Sequence, residues 1–346
     1  MCSSDLHGLG LGHGSMHASM PWPWLPAHGG CLGHGSMHAS MPWPWLPAHG
    51  GCLGLGCDVL GPKIKALPDD HRFKPDCLAW LAMLFESVGG YAEEKVLFEH
   101  ALKLERQRGN DDRVALKLIG LSSANRLLHH RVEGIRQAKE ALEIFERMDD
   151  TAGQGFSLIR LARALYDDGQ LNAAEEAAIR VIQLLPEKGQ EFIVIKSHRV
   201  LGHVYYSKGE KEKAIHHFKI ALGIASRFNW NTHLFWIHHS LAQLFRDEDE
   251  FADAHAHIEQ AKFHTNARGE YSLGRVVQLQ AEVYYRQGKL EEAASEALCA
   301  LEIYEKHGAL GDIDECRALL QCIEQTAKSQ GTPTVSTEEY HVSCAS

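Results

Sequence analysis

Histidines are the side chains of this sequence best suited to chemistry, because ten of the 23 fall between positions 198 and 264. Imidazole binds transition metals and changes charge near neutral pH, so this density could form a metal site or a pH sensor. Adjacent pairs such as His216 and His217 must face different sides of a helix, however, and histidine is an acceptable helix-surface residue. We therefore expect no metal and no cofactor, and keep a metal-binding regulatory subunit that uses these histidines as an alternative.

Motifs that assemble an active site are missing from the sequence. It contains no P-loop for a nucleotide phosphate, no GxSxG for a serine nucleophile and no HExxH for zinc. The glycines at positions 8, 10, 12 and 14 follow no predicted strand and precede no predicted helix, so they do not fit a dinucleotide loop. Cys316 and Cys322 are six residues apart, a spacing unsuited to a zinc pair. These observations predict a protein that is not an enzyme.

Charge and hydrophobicity argue against two classes of partner. The chain has 35 basic and 45 acidic side chains, a formal net charge of −10, and so lacks the dense basic surface that binds nucleic acid. No run of about 18 apolar residues is present to cross a bilayer. Nine widely scattered cysteines, an odd number, are typical of a reducing compartment. We expect a cytoplasmic protein with no nucleic-acid or membrane partner.

The composition changes near residue 62, because every lysine and arginine lies after Pro62. In the part before it, residues 11–31 are repeated without a difference at residues 32–52, with a PWPWLP segment in each copy. We interpret this part as a disordered leader that arose from duplicated or noncoding sequence, and a polyproline II binding module is the alternative. Its seven histidines are accompanied by no CxxC pair, so only adventitious nickel or zinc affinity is expected.

Amphipathic helices of roughly 13 to 18 residues, separated by short breaks, follow from about Lys74 to Gln330. A small or aliphatic side chain recurs at one position of this pattern, once in each repeat: Ala101, Ala141, Val181, Ala221, Ala261 and Ala300. A second position shows a similar recurrence: Ala82, Ser122, Ala162, Gly202, Ala242 and Ala281. A third does so more loosely: Glu94, Gly134, Ala174, Ala214, Ala254 and Ala293. Helices approach closely only where side chains are small, so these positions mark packing between helices.

The repeats predict an all-α solenoid of six helical hairpins, followed by a single capping helix that covers the last stacking face. Each hairpin alone exposes an apolar face, and stacking against the next hairpin buries it. We therefore divide the chain into a disordered leader at residues 1–62, a linker at 63–73, a superhelix at 74–330 and a disordered tail at 331–346.

A family resemblance is carried by residues of the fourth hairpin: Leu201, Gly202, Tyr205, Gly209, Ala214, Phe218 and Ala221. They reproduce the signature of the tetratricopeptide (TPR) repeat, so the array resembles TPR proteins. The period, about 40 residues, is longer than the standard period of about 34, and in this it resembles the long repeats of MalT-like regulators, kinesin light chains and Leu-Gly-Asn scaffold proteins. The run from Tyr284 to Ala309 is also similar to arrays that follow the nucleotide-binding domain of fungal STAND proteins of the NACHT or NB-ARC type.

The TPR resemblance implies that the protein binds other proteins or peptides. In TPR proteins the first helix of each hairpin lines a concave groove, chiefly at its second, fifth, ninth and twelfth repeat positions. The matching residues here are Arg163, Tyr166, Lys196, Arg199, His203, Tyr206, Trp236, His239, Gln243, Arg246, Arg275, Gln278, Glu282 and Tyr285. Cations beside tyrosines suit an extended acidic peptide, and an ordinary solvated helix face is the alternative. We predict a noncatalytic scaffold for a protein partner, either the sensor part of a STAND signalling protein or a free-standing cytoplasmic adaptor.

Overall fold

The computed structural model describes residues 61–87, 89–185, 189–265 and 269–330. The predicted leader, apart from its last two residues, and the predicted tail lie outside these ranges. Within them the regular secondary structure is α-helical and no strand occurs. None of the described helices is long and apolar enough to cross a membrane.

Fourteen helices form in the described part of the chain, and twelve of them pair as six hairpins. Helix α1 spans Gly61–Ala66 and precedes the repeats. The first helices of the hairpins are α2 (Lys74–Ser87), α4 (Asp111–Leu127), α6 (Thr151–Asp167), α8 (Glu191–Ser207), α10 (Asn231–Asp247) and α12 (Glu270–Arg286). The second helices are α3 (Tyr91–Arg108), α5 (Arg131–Arg147), α7 (Leu171–Leu184), α9 (Lys211–Arg227), α11 (Phe251–Thr265) and α13 (Leu290–His307). Helix α14 (Leu310–Gln330) follows as the single last helix, so the predicted solenoid is confirmed.

The recurring small positions are the buried seams between these helices. All six residues of the first set, from Ala101 to Ala300, have no exposed surface. At the second position Gly202 lies so close to the neighbouring helix that a Cβ atom there would approach the Phe218 ring to 2.6 Å. Leu201 and Phe218 beside this seam are each 1% exposed. The prediction that small residues mark interhelical packing is therefore confirmed, and the large side chains around them supply the apolar burial.

Residues in the left-handed backbone conformation form the turn inside each hairpin. Gly169 and Gly209 adopt φ values of 78° and 76°, a region that costs a residue with a Cβ atom about 1–2 kcal/mol. His129 and Asp249 hold the same turn in the second and fifth hairpins, with φ values of 60° and 58°. Histidine and aspartate are among the residue types that tolerate this region, so the turn is kept without glycine.

The stretch at residues 63–73, predicted as a linker, packs against the first hairpin. It contains most of α1, and Lys74 Nζ donates a hydrogen bond to Asp69 Oδ1 at 2.7 Å. Arg108 at the end of α3 donates to three backbone carbonyl groups of the stretch, at 2.9–3.0 Å. These two cations satisfy backbone and carboxylate acceptors, which fixes the stretch on the superhelix.

The first and last parts of the array meet, in what we call the closure contact. The hydroxyl oxygens of Tyr91, at the start of α3, and Tyr271, in α12, lie 3.3 Å apart. Tyr271 also donates to Asp312 Oδ2 of α14 at 2.7 Å. A Cβ atom at Gly89 would lie 3.1 Å from Ala309 Cβ, so the backbones themselves are close. This contact joins residues 180 positions apart, and the sequence pattern gave no sign of it.

Candidate functional site

The first helices α6, α8, α10 and α12 bring the predicted groove residues into one connected surface. Tyr166 and Ser207 join α6 to α8 through their hydroxyl oxygens, which are 3.0 Å apart. His203 Nε2 and Ser240 Oγ join α8 to α10 at 3.0 Å. Tyr285 extends the surface to α14, where its hydroxyl lies 3.1 Å from Thr326 Oγ1.

Trp236 lies at the centre of this surface, between two arginines. The guanidinium carbon of Arg199, from α8, is 5.5 Å from the indole centroid, and that of Arg275, from α12, is 5.7 Å away. Both distances are within the range of cation–π attraction. Three neighbouring helices therefore present one aromatic side chain held between two cations.

His203 and His239 on the same surface are neutral groups. Burial lowers the pKa of His239 to about 3, and the nearby Arg275, Arg199 and Arg246 add to this because they repel a second positive charge. Burial also lowers the pKa of His203, with Arg199 as its largest charged neighbour. Neutral imidazoles contribute hydrogen bonds rather than charge, so the positive charge of the groove comes from its arginines and lysine.

Four cations on α6 and α8 form what we call the basic cluster: Arg160, Arg163, Lys196 and Arg199. Burial lowers the pKa of Arg163 and of Lys196, and repulsion from neighbouring cations lowers both further. Lys196 Nζ lies 4.2 Å from the centroid of the Phe192 ring. Half-buried cations that repel one another create a positive potential, which favours an anionic ligand.

The other end of the groove is charge-paired. Arg246 pairs with Glu282 of α12, and Arg275 lies 3.7 Å from Asp312 of α14. Gln278 donates to Glu282 Oε1 at 3.4 Å. The predicted basic face therefore divides into a basic end on α6 and α8 and a neutralised end on α10 and α12.

Two remaining predicted residues, Tyr206 and Gln243, are half-buried on α8 and α10. Burial and the carboxylate of Asp247 raise the pKa of Tyr206, so its hydroxyl stays protonated at neutral pH. Both side chains lie in the same helices as the cations described above, and supply polar atoms rather than charge.

Two arginines of this region were not predicted from the sequence. They are Arg160, which belongs to the basic cluster, and Arg126, which lies beside it. Arg126 Nη1 pairs with Asp167 Oδ2 at 2.8 Å, and the positive charge of Arg126 lowers the pKa of Arg163. Arg126 stands one full repeat before Tyr166, so the repeat register extended to the second hairpin would have found it. Arg160 occupies a repeat position that holds valine and serine in the next two hairpins, so the register gives no signal for it.

The clustered histidines form two equivalent pairs between the helices of a hairpin. His198 Nδ1 and His217 Nδ1 lie 2.9 Å apart, and His238 Nδ1 and His257 Nδ1, one repeat later, also lie 2.9 Å apart. Such a bond needs one ring to donate and the other to accept, so the rings bind each other. In the described part of the chain, no group of three or more histidine, cysteine or acidic side chains is arranged to hold a metal ion.

Comparison with known proteins places this architecture among TPR structures. No protein-family model and no curated protein matches the sequence. A Rap protein solved in complex with Competence and Sporulation Factor is 13% identical, covers 79% of this chain and 80% of its own, and superposes with a TM-score of 0.58. The apo form of RapI is 13% identical over 76% of this chain and 90% of its own, with a TM-score of 0.54.

A STAND protein with a tetratricopeptide-repeat sensor, from Pyrococcus horikoshii, is a third similar structure. It is 17% identical, with a TM-score of 0.50, over 82% of this chain and 45% of its own length. This chain therefore spans less than half of that protein. At these identities the likeness shows the fold, and the fold is that of a TPR superhelix with long repeats.

Proposed function

We propose that this TPR superhelix is a noncatalytic interaction protein that binds an acidic peptide segment of a protein partner in its concave groove. The observation that carries the proposal is the basic cluster on α6 and α8, where burial and mutual repulsion lower the pKa of Arg163 and Lys196. Carboxylates of a ligand would relieve that repulsion and accept charge-assisted hydrogen bonds. The platform of Trp236 between Arg199 and Arg275 supplies contact area at low entropic cost beside it.

The comparisons support binding more than they support a particular partner. The Rap protein was solved with Competence and Sporulation Factor, so a protein of this fold binds a second molecule. Aspartyl phosphate phosphatase F from Bacillus subtilis, 13% identical with a TM-score of 0.50 over 84% of each chain, also has this fold. The fold alone therefore does not decide the question of catalysis, and our noncatalytic proposal depends on the missing motifs.

Two settings for this binding remain as alternatives. Similarity to the Pyrococcus horikoshii protein favours the sensor part of a STAND-type signalling protein. A free-standing cytoplasmic adaptor is the other setting. The mass and peptide map of the native polypeptide separate them: nucleotide-binding peptides upstream of residue 62 support the sensor, and a native mass of 38.5 kDa supports the adaptor.

The test is binding of a fluorescent hexaglutamate peptide to the full chain, followed by anisotropy. We expect Arg163→Glu combined with Arg199→Glu to weaken binding at least ~10-fold, and wild-type affinity to fall as salt rises. Arg106→Glu is the matched control, because Arg106 is a half-exposed cation on a second helix, where it pairs with Glu140. Salt-insensitive binding, or equal affinity in the double variant, contradicts the proposal.

A further inference from the structure

Helix α14 lines the end of the groove in the position of a further first helix. The hydroxyl groups of Tyr285 and Thr326 lie 3.1 Å apart and join α12 to α14. Tyr166 and Ser207 join α6 to α8 in the same way, and both pairs are 41 residues apart in the chain. Thr326 lies about one turn before Gln330, where α14 ends. The chain therefore leaves α14 beside the groove.

The segment that follows α14 has the composition that the basic end of the groove would attract. Residues 331–346 contain no lysine or arginine, and their carboxylate side chains are the adjacent Glu338 and Glu339. Tyr340 follows directly, so the acidic pair stands next to an aromatic side chain. These residues lie outside the described ranges, and the segment is attached to the described chain at Gln330.

Two cations of α8 are open to such a segment. Lys196 and Arg199 are both partly exposed, and at three residues apart they are neighbours on one face of the helix. Arg199 lies 5.5 Å from the indole centroid of Trp236, which is itself partly exposed. Arg246 is paired with Glu282, whereas Lys196 forms no ion pair among the described residues. A carboxylate that reaches α8 therefore meets a positive charge that no described carboxylate neutralises.

The length of the segment matches the distance to α8. Side-chain contacts join α8 to α10, α10 to α12 and α12 to α14, so three packed steps separate α14 from α8. Packed helices lie about 8–10 Å apart, which makes the three steps about 24–30 Å. An extended chain spans at most about 3.3–3.6 Å per residue, so Glu338, eight residues after Gln330, lies up to about 26–29 Å from it. An extended segment therefore brings Glu338 and Glu339 to α8.

We propose that residues 331–340 lie in the groove of their own chain, with the carboxylates of Glu338 and Glu339 against Lys196 and Arg199. Opposite charge and matching length favour this segment over another occupant. The inference rests on the proposed function, since it identifies the first acidic ligand of the groove as a part of the same polypeptide. An acidic segment of a partner then binds by displacing residues 331–340.

A tethered ligand occupies its site even when its own affinity is low. A short linker holds a segment near its site at an effective concentration in about the millimolar range, so a millimolar affinity is enough. A segment that fills the groove ~90% of the time leaves about one tenth of the molecules free for another ligand. The apparent affinity for an added peptide is then reduced ~10-fold.

The test compares full chains in the hexaglutamate anisotropy assay. Glu338→Gln combined with Glu339→Gln removes both charges and leaves every described residue in place, and we expect hexaglutamate to bind this variant ~10-fold more tightly than the wild type. The matched control is Glu291→Gln combined with Glu292→Gln, because these adjacent glutamates are exposed at the start of α13, a second helix. The control should keep the wild-type affinity. Equal affinity in the wild type and the Glu338 and Glu339 variant overturns the proposal.

A photocrosslinker distinguishes this segment from other occupants. When Tyr340 is replaced by p-benzoylphenylalanine, irradiation should link residue 340 to α8 or α10 within one polypeptide. The absence of such links overturns the proposal, and links to these helices only in cross-linked dimers overturn it in favour of a second copy of the chain.

The two proposals can fail separately. If the Arg163→Glu and Arg199→Glu variant loses hexaglutamate but the Glu338 and Glu339 variant gains no affinity, the proposed function stands and only the occupied groove fails. If neither the wild type nor the Glu338 and Glu339 variant binds hexaglutamate, both proposals fail. Binding that appears only in the Glu338 and Glu339 variant supports both, because the wild-type groove is then filled by its own segment.

Discussion

Acid should destabilise this protein through its two histidine pairs. His198 and His238 are each 8% exposed, and each shares an Nδ1–Nδ1 hydrogen bond that exists only while one of the two Nδ1 atoms carries a proton and the other does not. Burial, and then the neighbouring histidine of each pair, lowers the pKa of both residues from 6.5 to about 4. The perturbation that isolates this effect is the double substitution His198→Gln and His238→Gln.

The size of the effect follows from the difference between the folded and unfolded pKa values. Between pH 6.5 and pH 4 the unfolded chain binds more protons at these two positions than the folded chain does, so stability falls as the pH falls through this window. At pH 5 the loss relative to pH 7 is about 2 kcal/mol for each histidine, or about 4 kcal/mol for the two. That is a large part of the roughly 5–15 kcal/mol typical of a folded domain.

Urea denaturation at pH 7 and at pH 5 measures this loss directly, provided that unfolding is reversible. The wild-type free energy of unfolding should fall at the lower pH, and the double variant should fall by about 4 kcal/mol less, since glutamine does not titrate. His216→Gln removes an exposed neighbouring histidine and should behave like the wild type. An equal loss in the wild type and the double variant would refute the reasoning, because the two buried histidines would then contribute nothing to the pH dependence.

Two further predictions test the packing and the closure contact. Gly202→Ala should lower the free energy of unfolding measured in denaturant by about 1–3 kcal/mol, because its Cβ atom would meet the Phe218 ring at 2.6 Å. The control is Gly223→Ala, since a Cβ atom at Gly223 would meet no atom within 4 Å. An equal effect at both sites contradicts the repeat alignment. Tyr91→Phe removes the hydroxyl that meets Tyr271 and leaves the hydrogen bond from Tyr271 to Asp312 in place, so the radius of gyration in small-angle scattering should increase. An unchanged radius and an unchanged melting temperature would show that this hydroxyl contact is not needed to hold the array.

The fold was predictable because its information is local and repeated. Ala101 and its equivalents are small or aliphatic in every repeat, since each hairpin packs against its neighbour in the same way, and six repetitions make the signal clear. The stretch at residues 63–73 was harder, because its packing depends on Lys74 and Arg108, two cations whose backbone acceptors no pattern specifies. In the structure this stretch contains most of a short helix, and its remaining residues are fixed to the first hairpin by hydrogen bonds.

The candidate site was only partly predictable, for a different physical reason. The repeat register places Arg246 and Glu282 on first helices of consecutive hairpins, but only the structure shows that they neutralise each other. Glu94 is the opposite case, since the register marks it as a packing position, but its carboxyl group is buried there without a hydrogen-bond partner among the described residues. Charge balance in a groove depends on distances between helices, and the spacing of residues along one helix does not contain those distances.

The closure contact also restricts how this array can change in evolution. Open solenoids gain or lose whole repeats with little penalty, because each unit interacts only with its neighbours. Here an inserted or deleted repeat would move Tyr271 by one repeat step away from Tyr91 and separate the ends. The number of hairpins is therefore set by the geometry that returns the sixth hairpin to the first, and viable insertions are expected in the loops rather than as whole units.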